Sequence, residues 1–138
     1  MKLPHWPSVL AAPLLLAAAP LFAQTCISVE VHNVRPQQGQ IMVAAYVDAQ
    51  TFLKQAVHSM RAPAAGAITV IELCGVTGSS IALTLFQDLD SDGKMGRNLL
   101  GMPTEPWGTS GTPGSFGPSW ETAKVSLDGK PIVVRLSQ

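Results

Sequence analysis

Apolar and polar residues alternate through Ile27-Ser28-Val29-Glu30-Val31-His32, the period of two expected of a half-buried strand. Pro36-Gln37-Gln38-Gly39 follows, a turn in which proline presets one dihedral and glycine admits positive φ. Ile41, Val43, Ala45 and Val47 then share one face of a second alternating run. The pattern predicts two strands joined as a hairpin. From Asp48 to Val57 the period changes, because Phe52, Leu53, Ala56 and Val57 stand at helical spacing and Asp48 is placed to cap them. That segment reads as a short helix or a structured crossing loop, closed by Pro63-Ala64-Ala65-Gly66. Ala67–Cys74 and Ser80–Gln87 are two further strands joined through residues 75–79. Both carry apolar or β-branched residues on both faces, as central sandwich strands do.

After Gln87 the alternation stops for about 35 residues, long for a loop inside a domain. It resumes at Ala123, Val125 and Leu127, passes an Asp128-Gly129 turn, and continues through Ile132, Val134 and Leu136. Asp-Gly between alternating runs is a strong hairpin signal. Six to seven strands and one short helix predict an all-β fold, two antiparallel sheets packed as a sandwich. The interruption is itself unusual. Residues 101–120 hold five glycines and four prolines together with Trp107, Phe116 and Trp120. A disordered linker is poor in large aromatics, so this long Gly/Pro/Trp loop either packs onto the sandwich or forms a ligand-contacting surface at those three rings.

The first 23 residues break the strand pattern altogether. Lys2 and His5 precede an apolar run from Val9 to Phe22, and Ala23 offers a small residue before Gln24. This is the layout of a cleaved secretory signal peptide. Pro13 and Pro20 argue against a membrane helix, and Gln24 ahead of Cys26 does not suit a lipid-attachment site. Residues 24–138 are then expected to form a single exported domain, periplasmic or extracellular, with no membrane span. Without Lys2 that segment carries nine acidic and eight basic residues, and no basic cluster supports nucleic-acid binding. Cys26 and Cys74 are the only cysteines. In an oxidising compartment they predict one disulfide, with two separate buried thiols as the alternative. A bridge across that 48-residue spacing stabilises by about 4 kcal/mol on the chain-entropy estimate.

Candidate chemistry is concentrated in Gln87-Asp88-Leu89-Asp90-Ser91-Asp92-Gly93-Lys94. Aspartates at alternate positions can turn short carboxylates inward around calcium, which takes about six to eight hard oxygen ligands. Lys94 would contribute its backbone carbonyl. An EF-hand is excluded, because the twelfth position counted from Asp88 is Leu99, and Ile81, Leu83 and Leu85 ahead of it alternate as a strand does. A calcium loop of another kind needs further oxygens, for which Asn98 and Glu105 are the nearest candidates. The competing reading is an Asx-rich turn held by side-chain-to-backbone hydrogen bonds. A catalytic use of Asp88, Asp92 or Glu105 beside Trp107 would make the chain a carboxylate-based hydrolase, but needs a cleft. His32 and His58 have no partner at zinc spacing. Nucleophile elbows, phosphate loops and dinucleotide fingerprints do not occur.

Three stretches carry a family resemblance. The run from Ile27 to Arg35 followed by Gly39-Gln40-Ile41-Met42-Val43-Ala44-Ala45-Tyr46 is similar to the first hairpin of a bacterial exported family catalogued as domain of unknown function 2141. So is the run from Leu85 to Met95, continued by Asn98, Gly101-Met102-Pro103 and Glu105-Pro106-Trp107-Gly108. Phe116-Gly117-Pro118 extends the likeness, which covers nearly all of residues 24–138. Gly96 departs from it, standing where the family often has an acidic residue. The resemblance implies a transthyretin-like (prealbumin-like) sandwich in the periplasm and supplies no activity. A binding or accessory module is the resulting expectation, its partner a small ligand or another envelope protein. A scaffold that uses no metal is the alternative.

Overall fold

Ile27, Val29 and Val31 are all buried, so the first alternating run does present one face to a core. In the computed structural model, which describes residues 25–137, this run is β1 (Cys26–His32). It is followed by β2 (Gln40–Tyr46), β3 (His58–Pro63), β4 (Ile68–Cys74), β5 (Ser80–Asp88) and β6 (Trp107–Thr109). A helical turn, α1 (Trp120–Ala123), then precedes β7 (Val125–Ser126) and β8 (Ile132–Arg135). The expected signal peptide lies outside the described residues.

Two sheets face each other. The smaller has the order β4-β1-β8, and the larger β3-β2-β5-β6 with β7 paired to one end of β5. Between them Val29, Val31, Ile41, Leu83, Leu85 and Val134 interlock in one core. Burying each such side chain contributes about 1.5–3 kcal/mol. Cys26 lies opposite Cys74 in the β1–β4 ladder, and the disulfide joins them there.

The two-sheet sandwich agrees with the expectation, whereas several connections do not. β1 and β2 are not a hairpin: β1 pairs with β4 and β8, β2 with β3 and β5. Residues 33–39 carry the chain from one sheet to the other, held by Val34 N–H to the Ala67 carbonyl and Gln37 N–H to the Ala64 carbonyl. The Asp128-Gly129 turn forms, with Lys130 N–H donating to Asp128 Oδ1, but it too crosses between sheets. β7 pairs with β5, and β8 runs parallel to β1, so the sandwich is not wholly antiparallel. Alternation identifies the buried face of a strand and not its neighbour. In a sandwich either sheet satisfies it.

Residues 48–57 form a turn and no helix. Asp48 Oδ1 accepts from Gln50 and Thr51 N–H as a cap would, yet Leu53 takes φ +61°, which ends the helical path at once. β3 follows as an edge strand that its half-buried His58, Met60 and Ala62 concealed in the sequence. The helical turn forms instead at Trp120, where Ser119 and Thr122 make a reciprocal capping box. β4 lies at an edge and leaves Ile68 and Val70 exposed, correcting its expected central place.

Even-numbered residues of β2 and β5 point away from the main core onto the outer face of the larger sheet. At one end of that face Tyr46, Phe52, Ala82 and Ala123 form a second small core with Trp120 packed against it. The other end carries Phe86 and Asp88, and leads into the acidic loop.

Candidate functional site

β5 runs one residue beyond the predicted strand and ends on Asp88, which is wholly buried although it carries a carboxylate. Two neighbours make this burial possible. Gly39, at φ +59°, passes so close that a Cβ would collide with the Asp88 carbonyl oxygen. Gln40 stands opposite Asp88 in the ladder and donates from Nε2 to Asp88 Oδ2 at 2.9 Å. The remaining donors come from the loop. Gly93 N–H donates to Oδ2 at 2.9 Å and Asp92 N–H to Oδ1 at 3.1 Å. The loop thus folds back over the strand end that begins it.

Glu105 closes the same loop from its far side. Its Oε1 accepts from Leu89 N–H and its Oε2 from Gly96 N–H, each at 2.8 Å. One buried carboxylate therefore holds both ends of residues 89–96. Asp88, Asp90 and Glu105 each present an oxygen within 4.8 Å of the others. Among the described residues, the ion pairs are Glu30–His32, Glu121–Lys124 and Asp128–Lys130, none of which reaches this cluster.

The electrostatics of the two aspartates diverge. Burial raises the Asp88 pKa, but hydrogen bonds from Gln40, Gly93 N–H, Asp90 and Asp92 N–H outweigh it and hold the carboxyl below its ordinary value. For Asp90 the Asp92 N–H pulls downward. Desolvation, the shared bond with Asp88 and the charges of Asp92 and Glu105 together overcome that and raise it. Asp90 is the carboxylate whose ionisation is disfavoured by its neighbours.

The other residues singled out from the sequence are placed elsewhere. Asp92 accepts from Lys94 N–H at 2.8 Å, a local Asx turn. Asn98 Oδ1 accepts from Leu100 and Met102 N–H and so shapes the next turn. The three aromatics do not form one platform. Trp120 packs edge-on to Phe52, Phe116 is fully exposed, and Trp107 lines a groove on the outer sheet face. Gly96, where the resemblance expected an acid, would place a Cβ 2.6 Å from Thr104 Oγ1 and 3.5 Å from the Glu105 carboxyl carbon.

Gln40, Gln87 and Thr109 were not foreseen. Gln87, wholly buried, accepts from Arg35 N–H and donates to the Arg35 and Gln38 carbonyls, tying the 33–39 crossing to β5. Nothing local marks these glutamines, because their roles arise from strand pairing some fifty residues apart in the chain.

Chemically, the arrangement offers three converging carboxylates with Asp88 and Glu105 already fixed by backbone N–H groups, a set of hard oxygens suited to a divalent cation. Each carboxylate has about four lone-pair sites, and the two N–H bonds to Glu105 leave it acceptor capacity. No curated protein and no solved structure matches the chain. A family model for uncharacterised proteins conserved in bacteria (DUF2141) matches residues 29–135, from the middle of β1 to the end of β8 with the whole acidic loop inside it, and the chain belongs to that family.

Proposed function

We propose that this protein is an exported β-sandwich binding module in which calcium closes the acidic loop onto the end of β5. The observation that carries this reading is the convergence of Asp88, Asp90 and Glu105 with no basic side chain paired to them among the described residues. Three acids this close repel one another, and a divalent cation offsets the charges of Asp92 and Glu105 that, after desolvation and the bond shared with Asp88, help to raise Asp90. Calcium fits better than magnesium, since it accepts irregular sets of oxygens whereas magnesium demands a near-ideal octahedron. Backbone carbonyls such as that of Lys94, together with water, would complete the shell. Export is supported by the signal-peptide pattern at residues 1–23 and by the Cys26–Cys74 disulfide.

With so few protein ligands the site belongs to the weak class of extracellular calcium modules, at about 0.1–1 mM. At about 10 mM calcium such a site stabilises the fold by about 1.4–2.7 kcal/mol. Thermal denaturation with and without calcium tests this. A rise of several degrees that Asp90→Asn abolishes supports the reading, and an unchanged midpoint in both proteins defeats it.

A metal-free partner-binding protein is the second reading, favoured by Leu99, Leu100, Met102 and Phe116, all exposed at the tips of the loops after the acidic segment. It requires that calcium change neither stability nor loop conformation.

A further inference from the structure

The smaller sheet ends on β4, and the ladder with β1 determines which backbone groups that strand leaves free. Gly75 N–H donates to the Thr25 carbonyl at 3.3 Å. Antiparallel ladders alternate hydrogen-bonded and non-hydrogen-bonded pairs, so Ile27–Leu73, Val29–Ile71 and Val31–Thr69 carry the bonds between β1 and β4. Ile68, Val70 and Glu72 fall between them and direct their N–H and C=O groups to the open side. Among the described residues no other strand or loop bonds to these groups. Their side chains share the outer face, where Ile68 is 57% and Val70 59% exposed.

Soluble proteins normally guard such an edge with proline, charge or a covering segment. β3, an edge of the larger sheet, carries the exposed Arg61 and Pro63. β8 and β6 close the far side of the sandwich together, with Ser137 N–H donating to the Trp107 carbonyl at 2.7 Å. β4 has no proline and no cationic side chain, and its register with β1 is unbroken. Such an edge accepts an extended strand through backbone bonds, and the side chains set opposite decide which strand fits.

A second copy of β4 fits when paired antiparallel about a two-fold axis through Val70. Ile68, Val70 and Glu72 then exchange their free backbone bonds with Glu72, Val70 and Ile68 of the second copy. Val70 meets Val70, and Ile68 meets the aliphatic stem of Glu72. The two Glu72 side chains stand about 14 Å apart along the strands, at about 3.4 Å per residue. An axis through Ile71 would bring them to diagonal positions about 7–8 Å apart, where like charges repel. An axis through Thr69 would set Glu72 against Gly66, whose N–H and C=O already bond to Thr69 Oγ1. Charge selects the same register. In each copy His32 lies beside Ile68, and Arg135 beside His32. Each Glu72 therefore joins the row of the other copy that ends in those two basic groups.

We propose that two copies of this protein associate through β4, so that the smaller sheet continues from one copy into the other. A contact one strand wide is smaller than the ~1,200 Å² of stable complexes, which makes the dimer weak and concentration-dependent. None of its contacts involves the acidic loop.

Sedimentation velocity and amide spectra of the 15N-labelled protein test this, in EDTA and from about 10 μM to about 1 mM. Working in EDTA keeps the outcome separate from that of the calcium reading. The sedimentation coefficient should rise with concentration. The Ile68, Val70 and Glu72 amide resonances should shift with it, and those of Thr69, Ile71 and Leu73, already bonded to β1, should move less. Val70→Lys, folded by its thermal midpoint, should stay monomeric throughout. Phe116→Ser, which removes an exposed ring at a loop tip, should associate as the parent does. Mixed labelled and unlabelled protein should give an NOE from Thr69 Hα of one copy to Ile71 Hα of the other. A parent protein that is monomeric at about 1 mM overturns the proposal and leaves the edge to a foreign strand. So does association that Val70→Lys retains.

Discussion

Gln40 Nε2 donates to Asp88 Oδ2 across the last ladder position of β2 and β5, at 2.9 Å. This bond joins a neutral side chain from one strand to a buried carboxylate at the end of another, so the acidic loop begins from a fixed point. Replacing Asp88 by Asn would set an amide where Asp92 N–H, Gly93 N–H and Gln40 now donate. At least one donor then loses its acceptor, at a cost of about 1–3 kcal/mol. Chemical denaturation of Asp88→Asn should show this loss, and Gln40→Leu a smaller one.

The close passage of Gly39 over the Asp88 carbonyl yields a second expectation. Gly39→Ala meets both a positive φ and a backbone collision, and should destabilise by more than about 1 kcal/mol. Gly129→Ala also has positive φ, but a Cβ there would meet nothing. Its loss should be the smaller of the two in parallel denaturation curves.

The disulfide offers a third check. Because it bridges residues 48 apart, the Cys26→Ser, Cys74→Ser double variant should lose up to about 4 kcal/mol. Denaturation of the parent protein with and without reductant should reproduce most of that difference.

Acid titration separates Asp88 from Asp90. The Asp88 pKa is lowered in the fold, so its contribution is present above the ordinary aspartate value of 3.8 and disappears as pH falls through the lower folded value. Asp48 and Asp128 are lowered too, by the Thr51 and Lys130 N–H groups foremost, and add to the same acid loss. Asp90 has the opposite sign. Its raised folded value means that stability present below 3.8 is lost as pH rises through that value. In EDTA the thermal midpoint should therefore rise as pH falls toward the folded pKa of Asp90, then decline below 3.8. Asp90→Asn should remove the rise and keep the decline.

How far the sequence discloses this protein depends on the range of the interaction concerned. The faces of β1, β2 and β5 were legible because Val29, Val43 and Leu83 repeat at the period of the pleat. Strand partners were not legible, since the crossings at residues 33–39 and at Asp128-Gly129 satisfy the same alternation whichever sheet they enter. Asp88, Asp90 and Glu105 stood out by residue type, and the structure brings these three together. Asn98 stood out for the same reason and serves only its own turn. Gln40 and Gln87 act through neighbours distant in the chain, and no local pattern announces them.

In the proposed function calcium occupies the loop closed by Asp88 and Glu105. Amide spectra of the 15N-labelled protein during calcium titration test it directly, because Gly93 and Gly96 donate their N–H groups to those two carboxylates. The Gly93, Gly96, Asp90 and Asp92 resonances should move together and saturate at about one equivalent bound, with a midpoint of about 0.1–1 mM, while those of β1 and β8 stay in place. Spectra that remain superimposable to about 10 mM calcium, well above that affinity range, would contradict it.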